Sequence, residues 1–317
     1  MNKSKTDIPI QKSGEGKITG RFMFGWHRMR AGIITPLEFV LMCIDKGIEV
    51  VTKRDPQMGD YLMAHRIIKK LRSSGNVEND YYRFRDAKIP LLEGKRKADF
   101  FSDAMLDVYY CYMNLNDCYE EKEINDYFYI LPEGPYCLHN ESVDVRVNAG
   151  DVVIDAGSWI GDFAAYASAK GATCYAFEML DENYEILTRT AGLNSGIIPV
   201  KKALGSFSGN VSVSGDSLTA AISEDSNGGA VQTTLDDFVR ENNLPRVDFI
   251  KSDIEGFERH LLEGAQETLS RFAPKLAICT YHLPDDPEVL SGLIKKANPK
   301  YNIVQKRKKL FASVPEE

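Results

Sequence analysis

Long apolar runs are missing from this sequence, and none approaches the roughly 18 consecutive apolar residues of a membrane-spanning helix. Behind the charged start Met1-Asn2-Lys3-Ser4-Lys5 there is no apolar core, so no secretory signal is expected. Cysteine is scarce: there are six, none in C-x-x-C spacing. That argues against a zinc site or a disulfide framework and for reduced thiols in a cytoplasm. G-x-G-x-x-G is absent, as are internal repeats and long low-complexity tracts. Positive charge is short in one half only. Residues 1–150 carry 22 basic and 22 acidic side chains, and the remainder carries 17 and 24, which accounts for the net charge of -7. Such a surface repels phosphate backbones, so no nucleic-acid partner is expected. Lys306-Arg307-Lys308-Lys309 is the local exception and reads as a solvated strand end.

What is present is the balance of a globular chain, with 43% apolar and 27% charged residues in a length that suits one large or two ordinary domains. The first twenty residues are polar and glycine-bearing. Thr35-Pro36-Leu37-Glu38 opens a helix with an N-cap, a proline at the first position and a capping acid, and it ends near Gly47. Apolar stripes predict further helices over 59–71 and 98–116, and Tyr127–Leu131 reads as a strand.

From about residue 140 the rhythm changes to alternating strands and helices, the mark of a parallel sheet. Strands are expected at 151–155, 172–177, 197–201, 247–252, 275–280, 301–305 and 310–313. Helices are expected at 160–169, 181–192, 257–271 and 286–297, with another starting at Thr234. The Ser- and Gly-rich residues 205–232 read as an excursion between the third and fourth strands.

Val152-Val153-Ile154-Asp155-Ala156-Gly157-Ser158-Trp159-Ile160-Gly161 is a buried strand turning tightly into a helix. Nucleotide-like cofactors sit at such turns, outside the carboxyl ends of parallel strands. Gly157 would let the backbone approach a ligand, Gly161 would let the helix pack close, and Asp155 would accept from a cofactor ammonium. A tight turn without a ligand is the alternative. Glu178 lies 23 residues beyond Asp155 at the end of the second strand, where a carboxylate takes both hydroxyls of a ribose. Asp181 and Glu182 are acids of the kind any helix N-terminus favours.

Lys251, Asp253 and Glu255 alternate along the end of a fourth strand and its loop, facing the same crevice. Asp253 would take or position a hydroxyl proton while Lys251 holds charge; a structural Lys–carboxylate pair is the alternative. His282 emerges beside Asp253 and suits general-base work near neutrality, or fastens its loop. Asp253, Glu255 and His282 are of types that bind divalent ions, but their spacing is not diagnostic and no metal is assigned. His27, His65, His139 and His260 lie outside any motif.

The segment from Gly150 to about Val304 resembles the FkbM-type S-adenosylmethionine-dependent methyltransferases. The resemblance rests on V-V-I-D-A-G-x-x-I-G-D at 152–162, Y-A-F-E at 175–178, K-K-A-L-G at 201–205 and T-L-D-D-F at 234–238. It also rests on I-K-S-D-I-E-G-F-E at 250–258 and Y-H-x-P at 281–284, with Glu133-Gly134-Pro135-Tyr136 as a lead-in. The family often carries Ala-Asn where this chain has Ser158-Trp159, and no acid stands at 203–206 to contact adenine.

The resemblance implies an α/β class I methyltransferase sheet of seven strands, the last antiparallel, over residues 141–317. A mainly helical region, 1–140, would precede it and either cover the acceptor or form a homo-oligomer contact. The implied cofactor is S-adenosyl-L-methionine, bound by Asp155, Gly157, Ser158, Trp159, Gly161, Glu178 and Glu255. Asp253, His282 and Lys251 form the catalytic set. A small-molecule or glycan hydroxyl is the expected acceptor. The rival readings are a nicotinamide-dependent oxidoreductase or epimerase, for which neither the glycine signature nor a Tyr-x-x-x-Lys pair is expected here, and a non-catalytic assembly protein built on the same domain.

Overall fold

In the computed structural model, residues 76–78, 80–84, 86–91, 136–214, 221–224, 229–306 and 308–315 are described. The chain divides into compact units Met1–Arg66 and Ile67–Glu317, the first wholly outside the described residues. The helices expected at 35–47, 59–71 and 98–116 and the strand at 127–131 lie outside them too.

The second unit is organised by one sheet. Its strands are β1 (Val152–Ala156), β2 (Thr173–Phe177), β3 (Ile197–Val200), β4 (Phe249–Ser252), β5 (Lys275–Cys279), β6 (Asn302–Lys306) and β7 (Lys309–Ser313). They lie in the order β6-β7-β5-β4-β1-β2-β3. β1 to β5 run parallel, and β7 is antiparallel to both of its neighbours. This is the class I methyltransferase arrangement that the resemblance implied.

The apolar runs explain the layering. β4 is buried at every position and β1 at all but its first, as runs without alternation demand of strands covered on both faces. The edge strands β3 and β6 are only partly buried, and β6 carries polar residues.

Helices α1 (Asp162–Ala169), α2 (Asp181–Leu193), α3 (Leu235–Glu241), α4 (Glu258–Glu263), α5 (Gln266–Phe272) and α6 (Asp286–Ala297) complete the unit. Thr234 caps α3 as read from the sequence, its hydroxyl accepting from the Asp237 N–H at 2.9 Å. The single helix expected over 257–271 is instead two, α4 and α5, broken at Gly264. A Cβ at Gly264 would sit 2.1 Å from the Gly205 carbonyl, so this glycine lets the excursion's backbone press against the helix pair. The Asp236 carboxylate then accepts from the N–H groups of Glu267 and Thr268, supplying α5 with a cap from another element.

Residues 205–232 do form an excursion, and its described residues include strands. Strands at Ala203–Leu204, Gly209–Ser214, Ala221–Glu224 and Ala230–Thr233 make a small second sheet. Three short strands at Asn76–Glu78, Tyr81–Phe84 and Ala87–Pro90 lie within the stretch expected to be mainly helical. Their reason is local: Tyr82, Ala87 and Ile89 are buried, and the last strand packs on α1 and α2. Asn194 clips the meander to the end of α2, accepting from the Lys88 N–H at 3.1 Å and donating to its carbonyl at 2.8 Å.

Candidate active site

The crevice opens where the strand order reverses. β1 leads through α1 to β2 on one side, whereas β4 lies on the other, so the loops leaving β1 and β4 diverge. The parallel register sets Asp155 directly opposite Lys251, with both side chains on one face. Their charges meet at 3.0 Å, and Lys251 Nζ also donates to the Gly157 carbonyl at 2.5 Å. Burial works against this ammonium, but Asp155, Asp253 and Asp162 together hold it well above the usual lysine range. Lys251 is therefore a fixed cation beneath the crevice.

Gly157 has φ +73°, and a Cβ there would lie 2.0 Å from the Asp253 carbonyl. Its bare Cα thus serves the close approach of the loop after β4, rather than only a ligand as the sequence suggested. Gly161 acts as expected, since a Cβ would meet Leu187 at 2.7 Å and the glycine lets α1 reach α2. Ser158 is fully buried, its hydroxyl donating to the Asp155 carbonyl at 3.0 Å and its N–H to the Phe177 carbonyl at 2.9 Å. Trp159 holds a left-handed backbone at φ +48°.

Glu178 ends β2, and its Oε1 accepts from the Leu180 N–H at 2.8 Å. Burial is the largest influence and pushes this carboxyl up to about 7, against the opposing N–H groups of Leu180, Met179 and Trp159 and the charge of Lys251.

Asp253 collects partners from distant segments. Its Oδ2 accepts the Tyr136 hydroxyl at 2.6 Å and its Oδ1 the Tyr281 hydroxyl at 3.1 Å. Burial favours the protonated form, but Lys251, Lys309 and the Tyr136 hydrogen bond hold the group below the usual carboxylate range. Lys309 corrects the reading of a solvated strand end. It pairs with Cys279 in the antiparallel β5–β7 ladder, is fully buried, and places Nζ 3.8 Å from the centre of the Tyr136 ring. Lys251 lies 5.0 Å from the same ring, so two ammonium groups flank one phenol.

His282 sits among three carboxylates. Nε2 is 3.2 Å from Glu255 and 3.8 Å from Asp253, and Nδ1 is 3.2 Å from Glu258. Burial disfavours its charge, yet Glu255 and Glu258 push the ring up to about 10. At neutral pH it carries its proton and cannot accept another, which argues against the general-base role expected of it. Glu255 stands at the exposed rim with φ +54°. Fully buried Glu258 accepts the Ile254 N–H at 2.9 Å, tying the imidazole's neighbour to the backbone of the motif.

The structure thus brings Asp155, Gly157, Glu178, Lys251, Asp253, Glu255 and His282 to one edge of the sheet. Tyr136, Tyr281, Glu258 and Lys309 complete the cluster, although sequence reasoning assigned none of them a role. Glu258, Tyr281 and Tyr136 stood in E-G-x-E, Y-H-x-P and the Glu133–Tyr136 lead-in without a role, and only contacts across the fold reveal Lys309. His139 and His260 are exposed and paired with Asp144 and Glu263, while His27 and His65 lie outside the described residues. Asp181 pairs with Lys201 on the surface. Contrary to expectation a Tyr-x-x-x-Lys spacing is present, with Tyr166 on α1 and Lys170 just past its end, but Tyr166 is fully buried and its hydroxyl meets the Cys137 thiol at 3.8 Å.

The strand order and the crevice define a class I methyltransferase fold. Residues 147–300, just under half of the chain, match the family model of the Methyltransferase FkbM domain. The chain is 28% identical over 152 residues to the hexuronic acid methyltransferase AglP of Haloferax volcanii, covering 46% of this chain and 62% of that protein. Among solved structures, it is similar to methyltransferase FkbM from Methylobacillus flagellatus, at 20% identity and a TM-score of 0.44 over 69% of this chain and 62% of that one. Aeropyrum pernix fibrillarin in complex with S-adenosyl-L-methionine gives 13% identity and a TM-score of 0.35 over 54% and 70%.

Proposed function

We propose that this chain is an S-adenosylmethionine-dependent methyltransferase that methylates a hydroxyl of a sugar-like acceptor. The observation that carries the reading is the match of residues 147–300 to the FkbM domain, with the motif residues gathered at one crevice. The acceptor class draws on the hexuronic acid methyltransferase to which the same region is similar.

The donor set fits the cofactor. A carboxylate ending β2 suits a ribose diol, and the turn at Gly157 presents backbone rather than side chain. Bound there, S-adenosylmethionine supplies an electrophilic sulfonium methyl group. The protein's own groups do the rest. Glu178 and the residue 157–161 turn hold the cofactor, with Glu255 at the rim. Lys251, locked by Asp155, fixes the turn after β1 through the Gly157 carbonyl. Asp253, held ionised by two lysines and steadied by two phenols, accepts or aligns the acceptor's hydroxyl proton. Alignment of the reacting atoms supplies much of the rate. Residues 1–140 are read as the acceptor cover or a homo-oligomer contact, and the site of action as the cytoplasm.

Calorimetric titration with S-adenosylmethionine, S-adenosylhomocysteine and NAD tests the reading, coupled to methyl transfer onto uronic acids and oligosaccharides. Binding of the first two is expected. Tight binding of NAD alone would favour the oxidoreductase, and no binding at all the assembly protein. Asp253→Asn should keep cofactor binding and lose transfer; full activity would remove Asp253 from the mechanism.

A further inference from the structure

The cluster around His282 is better furnished than proton transfer requires. A nearly buried imidazole is ringed by Asp253, Glu255 and Glu258 at ion-pair distances. Each ring nitrogen is ion-paired with a carboxylate at 3.2 Å, whereas Glu258 Oε2 is buried with no hydrogen-bond partner among the described residues. A buried carboxylate oxygen left in this way is rare, and a bound ion is one partner that would satisfy it. One donor atom each from Asp253, Glu258 and His282 lies within 4.8 Å of the other two.

We propose that Asp253, Glu258 and His282 form a divalent-cation site at the mouth of the crevice, suited to Mn²⁺ or Mg²⁺. The inference rests on the methyltransferase reading for its purpose, but not for its geometry. Two carboxylates and one imidazole are a hard, mostly oxygen donor set that leaves coordination positions open for water or a hydroxyl. Donors about 2.1 Å from one octahedral ion stand about 3.0 Å apart when adjacent and about 4.2 Å when opposite, so a set spread over as much as 4.8 Å contracts on binding. Glu258 is held by the Ile254 N–H and Asp253 by two phenols, so the imidazole of His282 is the donor left to move. The ion takes the place of the imidazole's proton between the carboxylates, and that proton leaves to water. Glu255, exposed at the rim, guards the entry. The role that follows is acceptor binding: a sugar hydroxyl coordinated here gives up its proton more readily than a free one, with Asp253 aligning the hydroxyl rather than taking the proton.

The test is titration of chelator-treated protein with Mn²⁺, following the free-ion electron paramagnetic resonance signal, with calorimetry of S-adenosylmethionine on the same sample. One Mn²⁺ per chain is expected, with a rise in melting temperature. Binding should weaken at least tenfold in His282→Gln and in Asp253→Asn, each checked for folding by circular dichroism, and stay unchanged in Glu263→Gln. Absence of uptake at millimolar Mn²⁺, or equal uptake in the His282 and Asp253 variants, would overturn the site. If S-adenosylmethionine still binds in that case, only the metal proposal fails; if neither binds, the methyltransferase reading fails as well.

Discussion

Glu178 shows how much one buried side chain can report. Its carboxyl is pushed up to about 7, from an ordinary value of 4.5. The folded state therefore favours the protonated acid. Its contribution to stability is undiminished below about pH 4.5 and is lost as pH rises toward 7, by on the order of 3 kcal/mol. A ribose diol needs the opposite form, the carboxylate. Cofactor affinity is expected to rise as pH climbs from about 6 to 8. In Glu178→Gln, affinity should fall at least tenfold and lose that slope, while the stability difference from wild type changes across the same span in which the carboxyl ionises. Calorimetry and urea melts at several pH values read both, and a flat wild-type profile would remove Glu178 from the cofactor site.

Among the elements, the β1–α1 turn and the loop after β4 behave as one piece. Gly157 nearly touches the Asp253 carbonyl, and Lys251 reaches back to the Gly157 carbonyl. Gly157→Ala must both adopt an unfavourable positive φ and displace the β4 loop. It is expected to cost at least about 2 kcal/mol and to abolish cofactor binding and transfer together. An alanine variant of wild-type stability, measured by chemical denaturation, would show that the two loops are not locked together. The break between α4 and α5 at Gly264 follows the same logic, since a close backbone approach outweighs helix continuity. Periodicity alone reads that stretch as one helix because its apolar residues keep the stripe on both sides of the break.

At the scale of the whole molecule, the site joins segments far apart in the chain. Tyr136, preceding the FkbM segment, donates to Asp253 across 117 residues, and Lys309 from β7 lies against the same ring. Tyr136→Phe keeps the ring between its two lysines and removes only the hydroxyl. It is expected to lower kcat about tenfold with little change in cofactor affinity, since one hydrogen bond to a charged group contributes about 1.5–3 kcal/mol. Unchanged kcat would reduce Tyr136 to packing.

Much of this was legible from the chain alone. Apolar β-branched runs marked the central strands, the Thr234 cap marked the start of α3, and D-A-G-x-x-I-G with K-x-D-x-E-G-x-E showed which strand ends carry polar chemistry. Those are local signals, and burial and backbone geometry act locally to produce them. What the chain could not state was who meets whom. Strand register set Asp155 against Lys251, the antiparallel β7 turned Lys309 from an expected surface cation into a buried one, and the loop after β5 delivered His282 to Glu255 and Glu258. Each depends on pairing between segments far apart in the chain, which no short window of sequence contains. The sequence by itself determined the sheet domain and the edge that holds the polar motifs; only the tertiary structure decided which charges neutralise one another, and so which of those residues is free to act.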